Sequence, residues 1–113
     1  MTVNFHQWEC QIMFDTYKDA LGRIAIILIN AKPLEEDGYT MEPGTEVIAI
    51  ATVNIPEIPI GENQVIIKNY SENEGIDKIL REAGIISETT MWVRSGWVSV
   101  PVCNLLVDPK TFK

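Results

Sequence analysis

Hydrophobic and polar residues alternate over residues 5–14, and this period-two pattern predicts a half-buried antiparallel strand. One face of this strand carries the side chains of His6, Trp8, Cys10, Ile12 and Phe14. Residues 23–30 are apolar on both faces and rich in β-branched side chains, as expected of a central strand. Residues 17–22 predict the turn that joins the two strands into a hairpin, because Gly22 tolerates a positive φ.

The regular pattern stops after this hairpin. Residues 31–44 contain four acids together with the structure breakers Pro33, Gly38, Pro43 and Gly44. They show no regular period, so we expect a long, exposed and mobile loop, of the kind that often carries function in small domains. Strands are predicted again at residues 45–53 and 64–69. Pro56 and Pro59 separate them, because proline cannot donate to a strand ladder.

A helix is predicted over residues 72–83. Ser71 and Glu74 have the spacing of a capping box, in which the Ser71 hydroxyl accepts from the Glu74 N–H. Apolar side chains then recur at helical spacing at Ile76, Ile79, Leu80 and Ala83. Gly84 follows and predicts a left-handed end to the helix.

A second hairpin is predicted near the C-terminus, with strands at residues 89–93 and 97–102. The residues between them, Arg94-Ser95-Gly96, predict a three-residue turn. Pro101 marks the second strand as an edge strand or as the site of a bulge.

The predicted element order is β-β-loop-β-β-α-β-β, which indicates one α+β domain over residues 1–113. We expect a mainly antiparallel sheet of five or six strands with the single helix packed on one face.

Charge is unevenly distributed along the sequence. Residues 34–77 contain ten carboxylates and one base, Lys68, whereas the rest of the chain contains six acids and eight bases. The formal net charge of −7 therefore arises within this acidic block. A field of one sign attracts basic surfaces and repels phosphates, so we expect a basic protein or nucleoprotein partner and no direct contact with DNA or RNA.

Two groups of residues are candidates for partner binding. The first consists of acids in and next to the predicted loop: Glu35, Glu36, Asp37, Glu42 and Glu46. The alternative interpretation of this loop is a solvated segment whose charge keeps the protein in solution. The second consists of Trp92, Arg94 and Trp97, because tryptophan and arginine are enriched at interface hot spots. The two tryptophans flank the predicted turn, so we expect them to be cross-strand neighbours. Two interpretations stay open: they fill the core, or they form an exposed contact patch or a homodimer seam along an edge strand.

No motif for catalysis, a cofactor or a metal ion emerges from the sequence, so we do not expect an enzyme. Cys10 and Cys103 lack the spacing of a zinc site, and Glu35-Glu36-Asp37 lacks the alternating oxygen ligands of a calcium loop. A nucleophilic site would need His6 beside Cys103, which sequence spacing does not establish. The alternative hypotheses are a small-ligand-binding protein or minor enzyme with a pocket near these two residues, and a homodimeric accessory protein without catalysis.

The sequence shows no sign of export or membrane insertion. The first residues have no signal-peptide pattern, and the longest apolar run, residues 24–29, is far too short to span a membrane. We therefore expect a complete cytoplasmic product whose two cysteines are reduced and buried.

Three blocks of the sequence resemble a family of small accessory proteins encoded by phages and conjugative elements of gut and oral bacteria. The blocks are residues 70–75 (YSENEG), 83–86 (AGII) and 100–103 (VPVC), and the resemblance extends over residues 45–106. It transfers no activity and no functional residues. It implies a genomic context in which accessory proteins act against host defence, as anti-CRISPR proteins and DNA mimics do. Together with the acidic block, it favours a small acidic protein that inhibits or modulates a host nucleic-acid-processing or defence complex.

Overall fold

The computed structural model describes residues 1–19 and 21–112, which adopt an α+β fold. Within these residues lie nine strands, one 3-10 turn and one α-helix. In chain order they are β1 (Thr2–Phe5), β2 (Trp8–Thr16), β3 (Ile24–Asn30), β4 (Leu34–Glu36), β5 (Tyr39–Met41), β6 (Val47–Ile50), β7 (Gln64–Ile66), the 3-10 turn (Ser71–Asn73), α1 (Ile76–Glu82), β8 (Ile86–Ser95) and β9 (Val98–Leu105). The strands form three antiparallel sheets, so the prediction of a single sheet of five or six strands is wrong.

The first sheet has the order β1-β2-β3-β6. The predicted hairpin of β2 and β3 is confirmed, with Ile12 opposite Leu28 in register. The predicted turn is confirmed as well, and Gly22 has a φ of 62° there. The alternation in β2 therefore reports correctly which of its side chains face the core.

The predicted strand over residues 5–14 is wrong at its start. Phe5 and Trp8 pair across a two-residue turn, so that β1 and β2 form a hairpin of their own. His6 takes a φ of 54° in this turn, a conformation that costs a residue with a side chain about 1–2 kcal/mol. Neither glycine nor proline marks the turn in the sequence, and the alternation continues across it without a visible break.

The second sheet has the order β7-β9-β8 and meets the first sheet through one short pairing. Thr52 forms a bridge with Ile67, and the Lys68 N–H donates to the Ala51 carbonyl at 2.8 Å. The chain after β6 thus runs antiparallel to the chain after β7. This pairing links sheets whose strands are far apart in sequence.

The main core lies between the two sheets, and α1 packs against β1 and β8 beside it. Its buried side chains include Val3, Phe5, Cys10, Ile26 and Leu28 from the first sheet, and Val65, Cys103, Ile76 and Leu80 from the second sheet and the helix. A smaller core on the opposite face of the second sheet contains Ile55, Ile66, Val100 and Val102. The second sheet is therefore covered on both faces, and the middle of β9, residues 100–103, is buried.

Pro101 lies in this central strand, so the first alternative, an edge strand, is wrong. The second alternative, a bulge, is found next to it, where the register of β8 and β9 shifts between Thr89 and Met91. The Ile67 N–H donates to the Pro101 carbonyl at 2.9 Å. Pro101 has no N–H to return the bond, and the ladder between β7 and β9 ends at the pair Ile66–Val102. Proline is tolerated at this position because β7 ends at Ile66, so the N–H that Pro101 lacks is not needed to continue the ladder.

The helix is confirmed over Ile76–Glu82, but the capping box before it does not form. Ser71 has a φ of 56°, and only its backbone carbonyl accepts from the Glu74 N–H. Gly75, with a φ of 88°, occupies the N-cap position instead. The cause lies in Asn73, which is buried and donates from Nδ2 to the Ile50 carbonyl at 2.7 Å. This contact holds residues 71–73 against β6 as a separate 3-10 turn.

The predicted left-handed helix end is confirmed at Gly84, which has a φ of 76°. The Gly84 N–H donates to the Arg81 carbonyl, and the Ile85 N–H donates to the Leu80 carbonyl at 3.0 Å. These are the two bonds of a Schellman motif, which directs the chain from α1 into β8. Among residues 1–19 and 21–112, no helix has the length and apolar composition needed to cross a membrane.

Two exposed hairpins as candidate partner-binding sites

Residues 31–44 were predicted as an irregular loop, but they contain a small β-hairpin. The prediction that this segment has no regular secondary structure is therefore wrong. Leu34 pairs with Met41 and Glu36 with Tyr39. Asp37 and Gly38 form the turn, with φ values of 52° and 81°. Positive φ at both turn residues is typical of a type I′ turn, and Asp-Gly is a favoured sequence for it. We call residues 31–46 the acidic hairpin.

Asn30 fixes the acidic hairpin to the body of the protein. Its side chain is buried and makes four hydrogen bonds. Nδ2 donates to the carbonyls of Lys32 and Glu42, both at 2.9 Å. Oδ1 accepts from the backbone N–H groups of Thr45 at 3.1 Å and Glu46 at 2.9 Å. The side-chain amide of Asn30 therefore holds both ends of the acidic hairpin, and all of its hydrogen-bond donors and acceptors are used.

The structure gathers all five predicted acids on this hairpin and its base. Glu35, Glu36, Asp37 and Glu42 are exposed, and Glu46 is half-buried. Among the described residues, no basic nitrogen lies within 4.0 Å of any of these five carboxylates. Their charge is therefore not compensated by a neighbouring ion pair and is available to a partner.

Two of the other five acids of the block have ion-pair partners. Asp77 lies 3.6 Å from Arg81 in α1, and Glu72 binds Lys68. The hydrogen bond from Lys68 lowers the pKa of Glu72, and the same bond raises the pKa of Lys68. Within the acidic block of the sequence, ion pairs with described bases are thus confined to Glu72 and Asp77. Glu57, Glu62 and Glu74 are uncompensated, as the five hairpin acids are.

A groove of about 410 Å³ lies beside the acidic hairpin. Five apolar side chains line it, those of Trp8, Leu34, Met41, Val47 and Ile48. Glu35, Glu36 and Glu46 line the same groove. Three of the five predicted acids therefore share one concave surface with apolar side chains, an arrangement that the sequence analysis did not predict.

The second candidate group lies at the end of the hairpin of β8 and β9. Ser95 pairs with Val98, so the turn contains two residues, Gly96 and Trp97, and the predicted three-residue turn is wrong. Gly96 has a φ of 61°, as the first position of a type II′ turn requires. We call residues 91–101 the tryptophan hairpin.

Both tryptophans of this hairpin are exposed, so the interpretation that they fill the core is wrong. Trp97 is 97% exposed at the turn, and Trp92 is 60% exposed. Trp92 pairs with Pro101 and not with Trp97, contrary to the prediction that the two are cross-strand neighbours. Arg94 lies on the same face as Trp92, opposite Ser99, and it is exposed. The structure thus presents two aromatic rings and one guanidinium to the solvent.

His6 and Cys103, the residues of the alternative catalytic hypothesis, occupy different environments. His6 is exposed, and its Nε2 lies 3.3 Å from the Glu72 carbonyl oxygen, which can only accept a hydrogen bond. Cys103 is fully buried, and this burial raises the pKa of its thiol, although Arg81 and Thr89 oppose the shift. A protonated, buried thiol is a poor nucleophile. Among the described residues, these two share no hydrogen bond, and neither lines the grooves of about 760, 260 and 410 Å³.

The largest of these three grooves, of about 760 Å³, lies away from every predicted site residue. Its apolar lining includes Phe14, Ile24, Leu105 and Val107, and its carboxylates come from Asp15, Glu62 and Asp108. Within residues 1–19 and 21–112, no cluster of three histidines, cysteines or acids is arranged to hold a metal ion.

Comparison of the chain with protein-family models, with curated proteins and with solved structures found no match. The resemblance to accessory proteins of phages and conjugative elements therefore stays a prediction from the sequence.

Proposed function

We propose that this protein binds a basic surface of a host protein or nucleoprotein complex through the acidic hairpin, and that it acts without catalysis. The observation that supports this proposal is the set of five carboxylates without ion-pair partners on one hairpin. Lys32, the base of this segment, lies 3.9 Å from Glu9 and within 4.0 Å of none of the five carboxylates.

The physical basis of such binding is long-range attraction. Clustered charges of one sign raise the association rate with an oppositely charged surface, and this effect decreases as salt screens the field. Proteins that process nucleic acids carry basic surfaces built to bind phosphates. A protein with clustered carboxylates competes for such a surface, which is how inhibition or modulation of the complex would follow. The defence-related context implied by the sequence resemblance belongs to this proposal.

The exposed tryptophan hairpin supports a second candidate function, namely a contact with another protein or with a second copy of this chain. Trp97, which is 97% exposed, contributes nothing to the core. Exposed tryptophan next to arginine is the composition of interface hot spots. This contact is short-ranged, so it is compatible with initial attraction by the acidic hairpin.

The proposal is tested by capture experiments in lysates of gut and oral bacteria. The hairpin variant carries Glu→Gln or Asp→Asn at Glu35, Glu36, Asp37, Glu42 and Glu46. The control variant carries the same five-charge neutralisation at exposed acids elsewhere: Glu57, Glu62, Glu74, Glu82 and Asp108. We expect the parent and the control variant to retain the same basic protein at low salt, and the hairpin variant to lose it. Equal loss of capture by the two variants would show that only total charge matters, and capture by the hairpin variant at the level of the parent would contradict the proposal.

A further inference from the structure

The strand β8 forms an open edge of the second sheet. In the order β7-β9-β8 it pairs with β9 on one side, and among the described residues no strand pairs with it on the other side. The first residues of β8 are irregular, because the register with β9 shifts twice before Met91 and the Arg81 side chain donates to the Ser87 carbonyl there. From Met91 to Ser95 the ladder with β9 is continuous. Residues 91–95 are therefore the regular section of the open edge.

The bonding of Pro101 shows which backbone groups of this section face outward. The Pro101 carbonyl accepts from the Ile67 N–H on the β7 side, so the backbone of Pro101 is directed away from β8. In an antiparallel ladder, the residue opposite such a position also has its N–H and C=O directed away from the pair. Trp92 is that residue, and Arg94, two positions further along, has the same orientation. The backbone groups of Trp92 and Arg94 therefore face the open edge, where among the described residues nothing bonds to them.

The distribution of charge favours a second copy of this chain as the occupant of the edge. Residues 89–107 contain no acid and one base, Arg94, although the chain as a whole has a net charge of −7. Two copies of such a chain repel each other, and this repulsion is smallest between surfaces that lack acids. A basic segment of another protein would instead meet the positive charge of Arg94 at this edge.

The order of side chains along the edge is self-complementary. Val93 is the midpoint of the regular section and lies between Trp92 and Arg94. An antiparallel pair of β8 strands with its two-fold axis at Val93 places Trp92 of each copy opposite Arg94 of the other. Both side chains are exposed and lie on the same face, so each guanidinium can approach an indole ring in a cation–π contact. A two-fold axis at Arg94 would instead bring two like charges together.

We propose that two copies of this chain associate through β8, as antiparallel edge strands related by a two-fold axis at Val93. Each Trp92 exchanges backbone hydrogen bonds with Arg94 of the other copy, and the second sheets of the two copies join into one continuous sheet. The inference rests on the second candidate function above and deepens it, because it names what the tryptophan hairpin binds.

Sedimentation equilibrium of the full chain measures this association. We expect a monomer–dimer equilibrium with a Kd of about 100 μM or below, which shifts toward the dimer as salt screens the repulsion between the copies. Arg94→Glu removes the cation and places a carboxylate opposite Trp92, so we expect it to weaken the dimer about tenfold or more. Lys110→Glu makes the same charge change at an exposed position outside the edge and should have less than about a threefold effect. A monomeric parent up to about 1 mM, or equal effects of the two substitutions, would overturn the inference.

A cysteine at the proposed axis tests the register. Val93→Cys places two thiols at facing positions that exchange no hydrogen bonds, where Cα atoms are about 4.5 Å apart and within reach of a disulfide. Ser95→Cys, which is also half-buried in β8, is the control, because residue 95 would lie opposite Met91 of the other copy. Cys10 and Cys103 are buried and common to both variants. We expect oxidised glutathione to link Val93→Cys into a dimer at least about tenfold more than Ser95→Cys. Equal linkage of the two variants, or linkage of neither, would overturn the proposed pairing.

The five-site hairpin variant separates this inference from the proposed function. It leaves β8 unchanged and lowers the repulsion between copies, so we expect it to dimerise at least as well as the parent while it loses the basic host protein. If the parent stays monomeric but captures that protein through the acidic hairpin, only the inference fails. If the dimer forms as described but capture does not depend on the acidic hairpin, the proposed function fails and the inference stands.

Discussion

The acidic hairpin and the tryptophan hairpin are built on the same motif but are anchored in different ways. Each has a two-residue turn with a positive-φ glycine, Gly38 in one and Gly96 in the other. The acidic hairpin has three cross-strand pairs and is held by the hydrogen bonds of Asn30. The tryptophan hairpin continues into β9, which is buried on both faces.

In the proposed function, the two hairpins would bind by different interactions, electrostatic attraction at the acidic hairpin and direct contact at the tryptophan hairpin. Carboxylates act over a distance of about a Debye length, 8 Å at physiological salt, and they tolerate some movement of the segment that carries them. Aromatic side chains act only in contact, and a rigid anchor limits the entropy that they lose on binding. The charged side chains thus lie on a short hairpin held by one buried side chain, whereas the aromatic side chains lie on a hairpin that continues into the core.

The largest expected effect follows from removing the anchor of the acidic hairpin. Asn30→Ala leaves two carbonyls and two N–H groups of the hairpin without partners, and we expect a loss of about 3 kcal/mol or more in the free energy of unfolding. Urea denaturation measures this loss. Asn4→Ala, at an exposed position of β1, is the control. A loss below about 1 kcal/mol for Asn30→Ala would show that the hairpin is held by other contacts.

A smaller effect is expected at the two turn glycines. An added Cβ meets no atom within 4 Å at Gly38 or Gly96, so substitution by alanine acts only through the positive φ. We expect a cost of about 1 kcal/mol in each case. For Gly96→Ala this cost should appear in global unfolding, whereas for Gly38→Ala it should appear in local amide exchange over residues 34–41. Identical exchange patterns for the two variants would contradict the difference in anchoring.

The exposed tryptophans should contribute almost nothing to stability. We expect Trp97→Ser to change the free energy of unfolding by less than about 0.5 kcal/mol, because the side chain is 97% exposed. Thermal denaturation of the variant and the parent measures this. A clear loss of stability would mean that Trp97 packs against the protein and is not free for a partner.

The smallest effect concerns the pH dependence of stability near the helix. Lys68 lowers the pKa of Glu72 in the folded state, so this pair stabilises the fold above the ordinary glutamate pKa of about 4.3. The contribution is lost as the pH falls through the lower folded-state value. Lys68→Gln should therefore flatten the acid side of the stability profile slightly, and Lys110→Gln, a lysine whose ammonium lies within 4.0 Å of no described carboxylate, should leave it unchanged.

Local patterns predicted the parts of the fold that local interactions determine. The alternation in β2, the apolar run in β3 and the glycine that ends α1 were sufficient for those elements. The capping box at Ser71 failed because Asn73 bonds to β6, a contact between segments that are distant in sequence. The link between the first and second sheets depends in the same way on a contact between distant segments, the pairing of Thr52 with Ile67.

The candidate site was predicted only in part. The acids were visible as a charge block, and Trp92, Arg94 and Trp97 as residue types enriched at interface hot spots, but the sequence left open whether the tryptophans are exposed. The acidic hairpin itself was missed, although Asp37-Gly38 is a favoured hairpin turn, because its strands of three residues are too short to show a period. The role of Asn30 as an anchor was hard to predict, because the sequence shows only a polar residue at the end of an apolar strand. Its four hydrogen-bond partners come together only when the chain folds.

The central claim is that the five carboxylates of the acidic hairpin attract the partner, and the association rate constant tests it most directly. The measurement compares the parent, the five-site hairpin variant and the five-site control variant against the captured partner, over a range of ionic strength. We expect the hairpin variant to associate more slowly at low salt and to show a flatter salt dependence, while the control variant stays close to the parent. The same rate constants and slopes for the two five-site variants would contradict the claim.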